Sequence, residues 1–186
     1  MQYHWLNKKN NDDLTVFFCG WSFDGKPFKH LKYSDKDVLV IYDYTEPELP
    51  EGIFEGYEKY FLITWSMGVY IAYLMQSSLP QFDKKIAING TPFPVDNELG
   101  IPQKTFDLTI KYVDSGLKGK FQQNLFKNPQ DYEKYLLSPV ERTIENRANE
   151  LVALDKFIHT QKAEYSKFYD CAIISDTDTV SYTHLT

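Results

Sequence analysis

The chain has 186 residues, enough for one domain with a substantial core. A formal charge of −6 argues against general nucleic-acid binding, and no apolar run approaches the roughly 18 residues that a membrane span needs. No basic start followed by an apolar run marks the chain for export, so the expected setting is the cytoplasm; nothing calls for a metal or a cofactor.

In chain order, residues 1–6 form a short predicted strand, followed by a polar turn from Lys8 to Asp13. Leu14 to Cys19 is a continuous β-prone run, as expected of a strand buried on both faces, and it ends in Gly20-Trp21. Val38 to Tyr42 is a second such strand. The acidic, proline-bearing stretch from Glu46 to Glu58 reads as a loop with one or two helical turns. Phe61 to Trp65 is again β-rich, and a helical pattern then runs to about Ser78. Ile86 to Asn89 gives one more short strand.

After Pro102 helical patterns take over, near 104–115, 117–126 and 129–137. A longer one starts at about Glu141, with Ile144, Ala148, Leu151, Leu154 and Ile158 on one face. Strand character resumes at Cys171 to Ile174. The expectation is an α/β sheet from 1–101 and 168–180 carrying a helical cap, 102–167, and a tail at 181–186. Cys19 and Cys171 both lie in apolar runs and read as buried free thiols.

The corner at Thr64-Trp65-Ser66-Met67-Gly68 carries the chemistry. A serine between a strand and a helix fits the nucleophile elbow of α/β-hydrolases, usually G-x-S-x-G, although Thr64 stands where the first glycine would be. The bland alternative is an N-cap, with Ser66 accepting a backbone N–H. A dinucleotide fold would need G-x-G-x-x-G after the first strand, and Gly20-Trp-Ser-Phe-Asp-Gly25 lacks the second glycine. In the hydrolase reading, the main-chain amides of Trp21 and Met67 are the oxyanion donors.

Phe17-Phe-Cys-Gly-Trp21, Tyr42-Asp-Tyr44, Trp65-Ser-Met-Gly-Val69 and Asn89-Gly-Thr91 with Gly100-Ile-Pro102 form an ordered set. From about residue 14 to about 178 the chain resembles the BioG-type pimeloyl-[acyl-carrier protein] methyl ester esterases. In that family Trp-Ser-Met-Gly replaces the usual elbow, which removes the objection from Thr64. The resemblance implies an α/β-hydrolase-like, mostly parallel sheet with an inserted helical cap. It also implies hydrolysis of the methyl ester of pimeloyl held on acyl carrier protein, in biotin synthesis, with Ser66 as nucleophile.

The fold puts a triad acid in the loop after the Cys171–Ile174 strand, which holds Asp176 and Asp178; the resemblance implies Asp178 there, with Glu145 the alternative. The base is harder to place among the four histidines. His4 and His30 precede the nucleophile, His159 follows a helical face, and His184 is only six residues beyond Asp178. The family continues through a last helix and strand to its histidine. The tail Ser181–Thr186 does not match, so the expectation is a fragment without those elements and with little activity.

Lys104, Lys111, Lys118, Lys120 and Lys127 give residues 104–127 a local basic face, with Arg142 nearby. Either it docks the acidic carrier or it is a solvated helix surface. Asn89, at the carboxyl edge of the sheet, is a candidate for substrate contact. The alternative to an esterase is a catalytically silent hydrolase-fold module that binds an acyl-carrier partner.

Overall fold

The runs of β-branched and aromatic residues form strands, because bulk at Cβ favours an extended, half-buried backbone. The computed structural model, which describes residues 1–31, 35–161 and 166–175, places them in a six-stranded sheet. The strands are β1 (Gln2–Asn7), β2 (Asp13–Phe18), β3 (Asp37–Tyr42), β4 (Lys59–Trp65), β5 (Lys84–Ile88) and β6 (Cys171–Ile173). Their order across the sheet is β1-β3-β2-β4-β5-β6. β1 pairs antiparallel with β3, and the remaining pairings are parallel.

Parallel neighbours need a crossover. Helix α1 (Met67–Leu74) carries the chain from β4 to β5. Between β5 and β6 lie α2 (Gln103–Lys111), α3 (Val113–Lys118), α4 (Pro129–Leu136) and α5 (Ile144–Thr160). The sheet is covered on both faces. Leu39 and Ile41 of β3 pack with Leu14, Val16, Phe18, Leu62, α1 and α5. Val40, pointing the other way, packs with Cys19, Phe23 and Tyr135. Strand alternation therefore feeds two cores, which is why β2 and β3 read as unbroken apolar runs.

Differences from the sequence reading have local causes. α1 stops at Leu74 and a 3₁₀ turn follows at Gln76–Ser78, short of a continuous helix. Residues 104–115 divide at Tyr112 into α2 and α3. The 117–126 pattern yields only the end of α3 and a 3₁₀ turn at Gln123–Leu125, because Gly119 and the turn after it interrupt the helix. α5 begins at Ile144 rather than Glu141, since Thr143 caps it by accepting the Asn146 N–H at 3.1 Å. The Glu46–Glu58 stretch forms turns without a helix. Both cysteines are free and Cys19 is buried, but Cys171 is exposed because β6 stands at the edge of the sheet.

Candidate active site

The strand-to-helix corner is held by backbone sterics. Ser66 has φ 54° and ψ −123°, a conformation that costs a non-glycine residue about 1–3 kcal/mol. It is fixed on both sides: the Ser66 N–H donates to Ile88 O at 2.9 Å, and Ser66 O accepts from Val69 N–H at 3.0 Å. Two glycines let neighbouring backbone reach the corner. A Cβ on Gly68 would lie 2.4 Å from Phe18 O, and one on Gly90 would lie 2.4 Å from Ser66 O. The Ser66 side chain makes no capping hydrogen bond, so the N-cap alternative is not what the structure contains. Thr64 sits in regular strand pairing opposite Ala87 and Phe18, and its hydroxyl donates to Ile86 O at 3.2 Å. The small neighbour at 87 leaves room for its side chain.

Ser66 opens into a cavity of about 270 Å³. One wall is Gly20, Trp21, Phe23, Trp65 and Met67; the other comes from the helical segment, through Phe106, Phe121, Leu125 and Leu151. Trp21 and Phe121 meet edge to face across 5.0 Å. Among the described residues, the main-chain amides of Trp21 and Met67 have no hydrogen-bond acceptor. A roomier depression of about 520 Å³, beside Lys85, Phe168 and Asp170, lies elsewhere and is lined by no serine in a strand-to-helix corner.

A buried polar cluster stands behind this pocket. Glu150, fully buried on α5, accepts the Ser22 N–H and the Tyr44 N–H, each at 3.0 Å, and Arg142 Nη1 at 2.8 Å. Arg142 also faces Asp43 at 3.3 Å and donates from Nε to Asn146 at 2.7 Å, while Asn146 donates to Asp43 at 2.9 Å. Burial pushes the Glu150 carboxyl above its ordinary range, against the pull of Arg142 and the two amides. Burial also opposes ionisation of Asp43, but bonds from Thr45 and Asn146 and the charge of Arg142 hold its carboxyl below the ordinary range.

Of the residues singled out from the sequence, the fold brings Ser66, Trp21 and Met67 together. Asn89, at φ 42°, donates its N–H to Ile173 O, and its side-chain oxygen accepts the Ser175 N–H at 2.8 Å; it braces β6. Lys111, Lys118 and Lys120 are exposed on α2, α3 and the turn beyond. Arg142 is 5% exposed and paired with Asp43 and Glu150, so it belongs to the interior cluster rather than to the basic face. Glu145 is exposed in the first turn of α5. Asp178, Asp176 and His184 lie outside the described residues. None of His4, His30 and His159 lines the Ser66 pocket; His159 pairs with Asp155 at 3.1 Å.

The sequence reading missed Glu150. The signal was present: Arg147, Glu150, Leu151, Leu154 and Ile158 fall on one stripe at helical spacing, with two ionic residues on the apolar face. Such a placement marks buried ionic groups that need partners, and the structure supplies them as Arg142 for Glu150 and Ser22 for Arg147.

Comparison with known proteins agrees with this architecture. The chain is 32% identical over 168 residues to the malonyl-[acyl-carrier protein] O-methyltransferase of Bacteroides fragilis (strain 638R), covering 89% of this chain and 34% of that protein. It thus spans about a third of the length of that relative. The crystal structure of BioG from Haemophilus influenzae superposes with a TM-score of 0.79 at 27% identity, over 89% of this chain and 75% of that one. A carboxylesterase structure from the thaumarchaeon Nitrososphaera gargenis has a TM-score of 0.55 at 14% identity, over 82% of this chain and 67% of that one, which speaks for the fold alone. The sheet and its crossovers are those of an α/β-hydrolase. The family described as pimeloyl-ACP methyl esterase BioG matches residues 1–184, and the chain belongs to that family.

Proposed function

We propose that this chain supplies the nucleophile, oxyanion donors and acyl pocket of an esterase acting on the methyl ester of pimeloyl-[acyl-carrier protein], in biotin synthesis. The observation that carries the proposal is Ser66: strained at φ 54°, uncapped, and open to an apolar cavity beside two main-chain amides without an acceptor among the described residues. Family membership supplies the substrate class.

In this reading Ser66 Oγ adds to the ester carbonyl carbon, and the carbonyl π pair moves onto oxygen, facing the amides of Trp21 and Met67. Collapse expels methanol, which carries away the serine proton. Water then attacks the acyl-serine, releasing the free carboxylate and restoring Ser66. Asp178 is the proposed acid, with Glu145 the alternative. Residues 102–167 act as the cap. A pimeloyl chain offers roughly five methylenes at about 0.8 kcal/mol each, so the aromatic wall could contribute roughly 4 kcal/mol. The methyl cap keeps the far end neutral inside that wall, and hydrolysis creates a charge the pocket does not solvate. Exposed Lys111, Lys118 and Lys120 would meet the acidic carrier.

The test is labelling by a fluorophosphonate followed by peptide mapping. Modification at Ser66 is expected. A label at any other residue, with Ser66 unmodified, removes the basis for the mechanism.

A further inference from the structure

The turn after β2 carries the Trp21 amide, and the sheet holds little of it. Cys19 N–H still donates to Ile41 O at 3.0 Å and Tyr44 Oη donates to Cys19 O at 2.6 Å, but beyond Cys19 the turn's backbone bond among the described residues is Phe23 N–H to Gly20 O at 3.3 Å. Ser22 adopts φ 76°, unfavourable for a residue with a Cβ. The contacts that fix the turn come from residues 142–150, more than a hundred positions away. Glu150 accepts the Ser22 N–H at 3.0 Å. Arg147 Nε donates to Ser22 Oγ at 2.6 Å, and the Trp21 indole donates to Arg147 O at 2.8 Å. Arg142 Nη1 donates to Phe23 O at 3.1 Å.

We propose that Glu150 is a positioning residue for ester hydrolysis: by accepting the Ser22 N–H it fixes the turn beside Trp21 and aims the Trp21 amide at the developing oxyanion. The inference rests on the reading of Ser66 as nucleophile. Glu150 does not line the pocket, although its neighbour Leu151 does, so it acts through the turn and touches no reacting atom. The carboxylate is the group the arrangement needs. Its two oxygens accept from Ser22, Tyr44 and Arg142 together. A glutamine offers one acceptor oxygen, and its NH₂ would face a donor on the other side. The clamp also ties the turn to Tyr44 after β3, so three separated segments share one carboxylate.

The experiment uses the 186-residue chain and a short-chain fluorophosphonate, whose phosphoryl oxygen takes the oxyanion position. Saturation kinetics separate the limiting labelling rate from the half-saturation concentration. Glu150→Gln is expected to lower the limiting rate about 10- to 100-fold, less than outright loss of a donor, with half-saturation changed by less than about twofold. Glu150→Asp, which restores both acceptor oxygens on a shorter stem, should recover part of the rate. A role in stability alone would lower the melting temperature and the fraction labelled while leaving the limiting rate per competent site unchanged, and that result overturns the proposal. If Glu150→Gln does not fold, Glu150→Asp carries the test, because its shorter stem draws the carboxylate away from the Ser22 N–H without touching the pocket wall. A several-fold drop in its limiting rate at unchanged half-saturation supports the clamp, and a wild-type rate overturns it. Wild-type labelling no faster than that of Ser66→Ala would instead sink the nucleophile reading, and the inference with it.

Discussion

The two sides of the Ser66 pocket are held by different physics. At the elbow, β4 and α1 meet in a corner fixed by backbone contacts, with Gly68 and Gly90 admitting Phe18 O and Ser66 O where a side chain would clash. At the turn carrying Trp21, position depends on buried ions contributed by Arg142, Arg147 and Glu150. The first arrangement needs a few residues in sequence. The second needs partners more than a hundred residues apart, and it stands or falls with their charge balance. A corner built from sterics tolerates changes in pH, whereas an ionic clamp responds to them; being buried, the clamp is screened little by salt.

The largest effect should come from the elbow. In a version that carries the family's catalytic histidine, Ser66→Ala is expected to reduce turnover by about 10⁶ while leaving the thermal midpoint where it was, since the side chain makes no capping hydrogen bond. Retention of a tenth of the activity would show that the steric corner is not the reaction centre.

On the clamp side, Arg142→Ala leaves Asp43 and Glu150 facing each other's surroundings without their shared cation. Loss of one partner from a buried pair costs about 3–5 kcal/mol, to be read from denaturant unfolding. A cost below about 1 kcal/mol would mean that water or Asn146 already satisfies the carboxylates, and the contrast between the two walls would shrink.

How much of this was legible beforehand follows the same division. The strands and the Ser66 corner could be read because apolar runs and a strand–serine–helix junction are local patterns. α1 carried no amphipathic signature, since Met67 through Tyr73 are all buried, yet its place after the serine identified it. The break at Tyr112 and the start of α5 at Thr143 depend on capping and packing that propensity does not resolve. Arg142 read as a surface cation because Asp43 is distant in the chain and Glu150 lies eight residues on, beyond the start of α5. The proposal of Asp178 as the acid rests on the family resemblance alone, since the residue lies outside the described residues.

A pH series sharpens the comparison further. The folded-state pKa of Glu150 is raised, so the folded protein binds more protons than the unfolded chain in the window above the ordinary glutamate value of about 4.3. Its favourable term is full below that value and is lost as pH rises through the folded pKa. Asp43 runs the other way: its lowered pKa gives stability that is present above about 3.9 and lost as pH falls through the folded value. The thermal midpoint of wild type relative to Glu150→Gln should therefore decline across the first window as pH rises. A parallel pair of curves would show that Glu150 does not titrate there.

The smallest effect is expected at the rim. Reversing Lys111, Lys118 and Lys120 to Glu should raise KM for the carrier-bound ester several-fold and flatten its salt dependence. Hydrolysis of a small ester should hardly change. Equal losses on both substrates would indicate damage to α2 and α3 rather than removal of a docking face.

Two of the chain's three tryptophans, Trp21 and Trp65, line the pocket, while Trp5 stacks on Tyr57 at 6.5 Å. The indole of Trp21 is anchored at its nitrogen by Arg147 O, so its ring cannot swing away when a chain enters. Ligand entry must then change the polarity around a fixed fluorophore. The protein carries its own optical gauge of occupancy: an acyl group that displaces water from this wall should shift the emission to the blue, without any added dye.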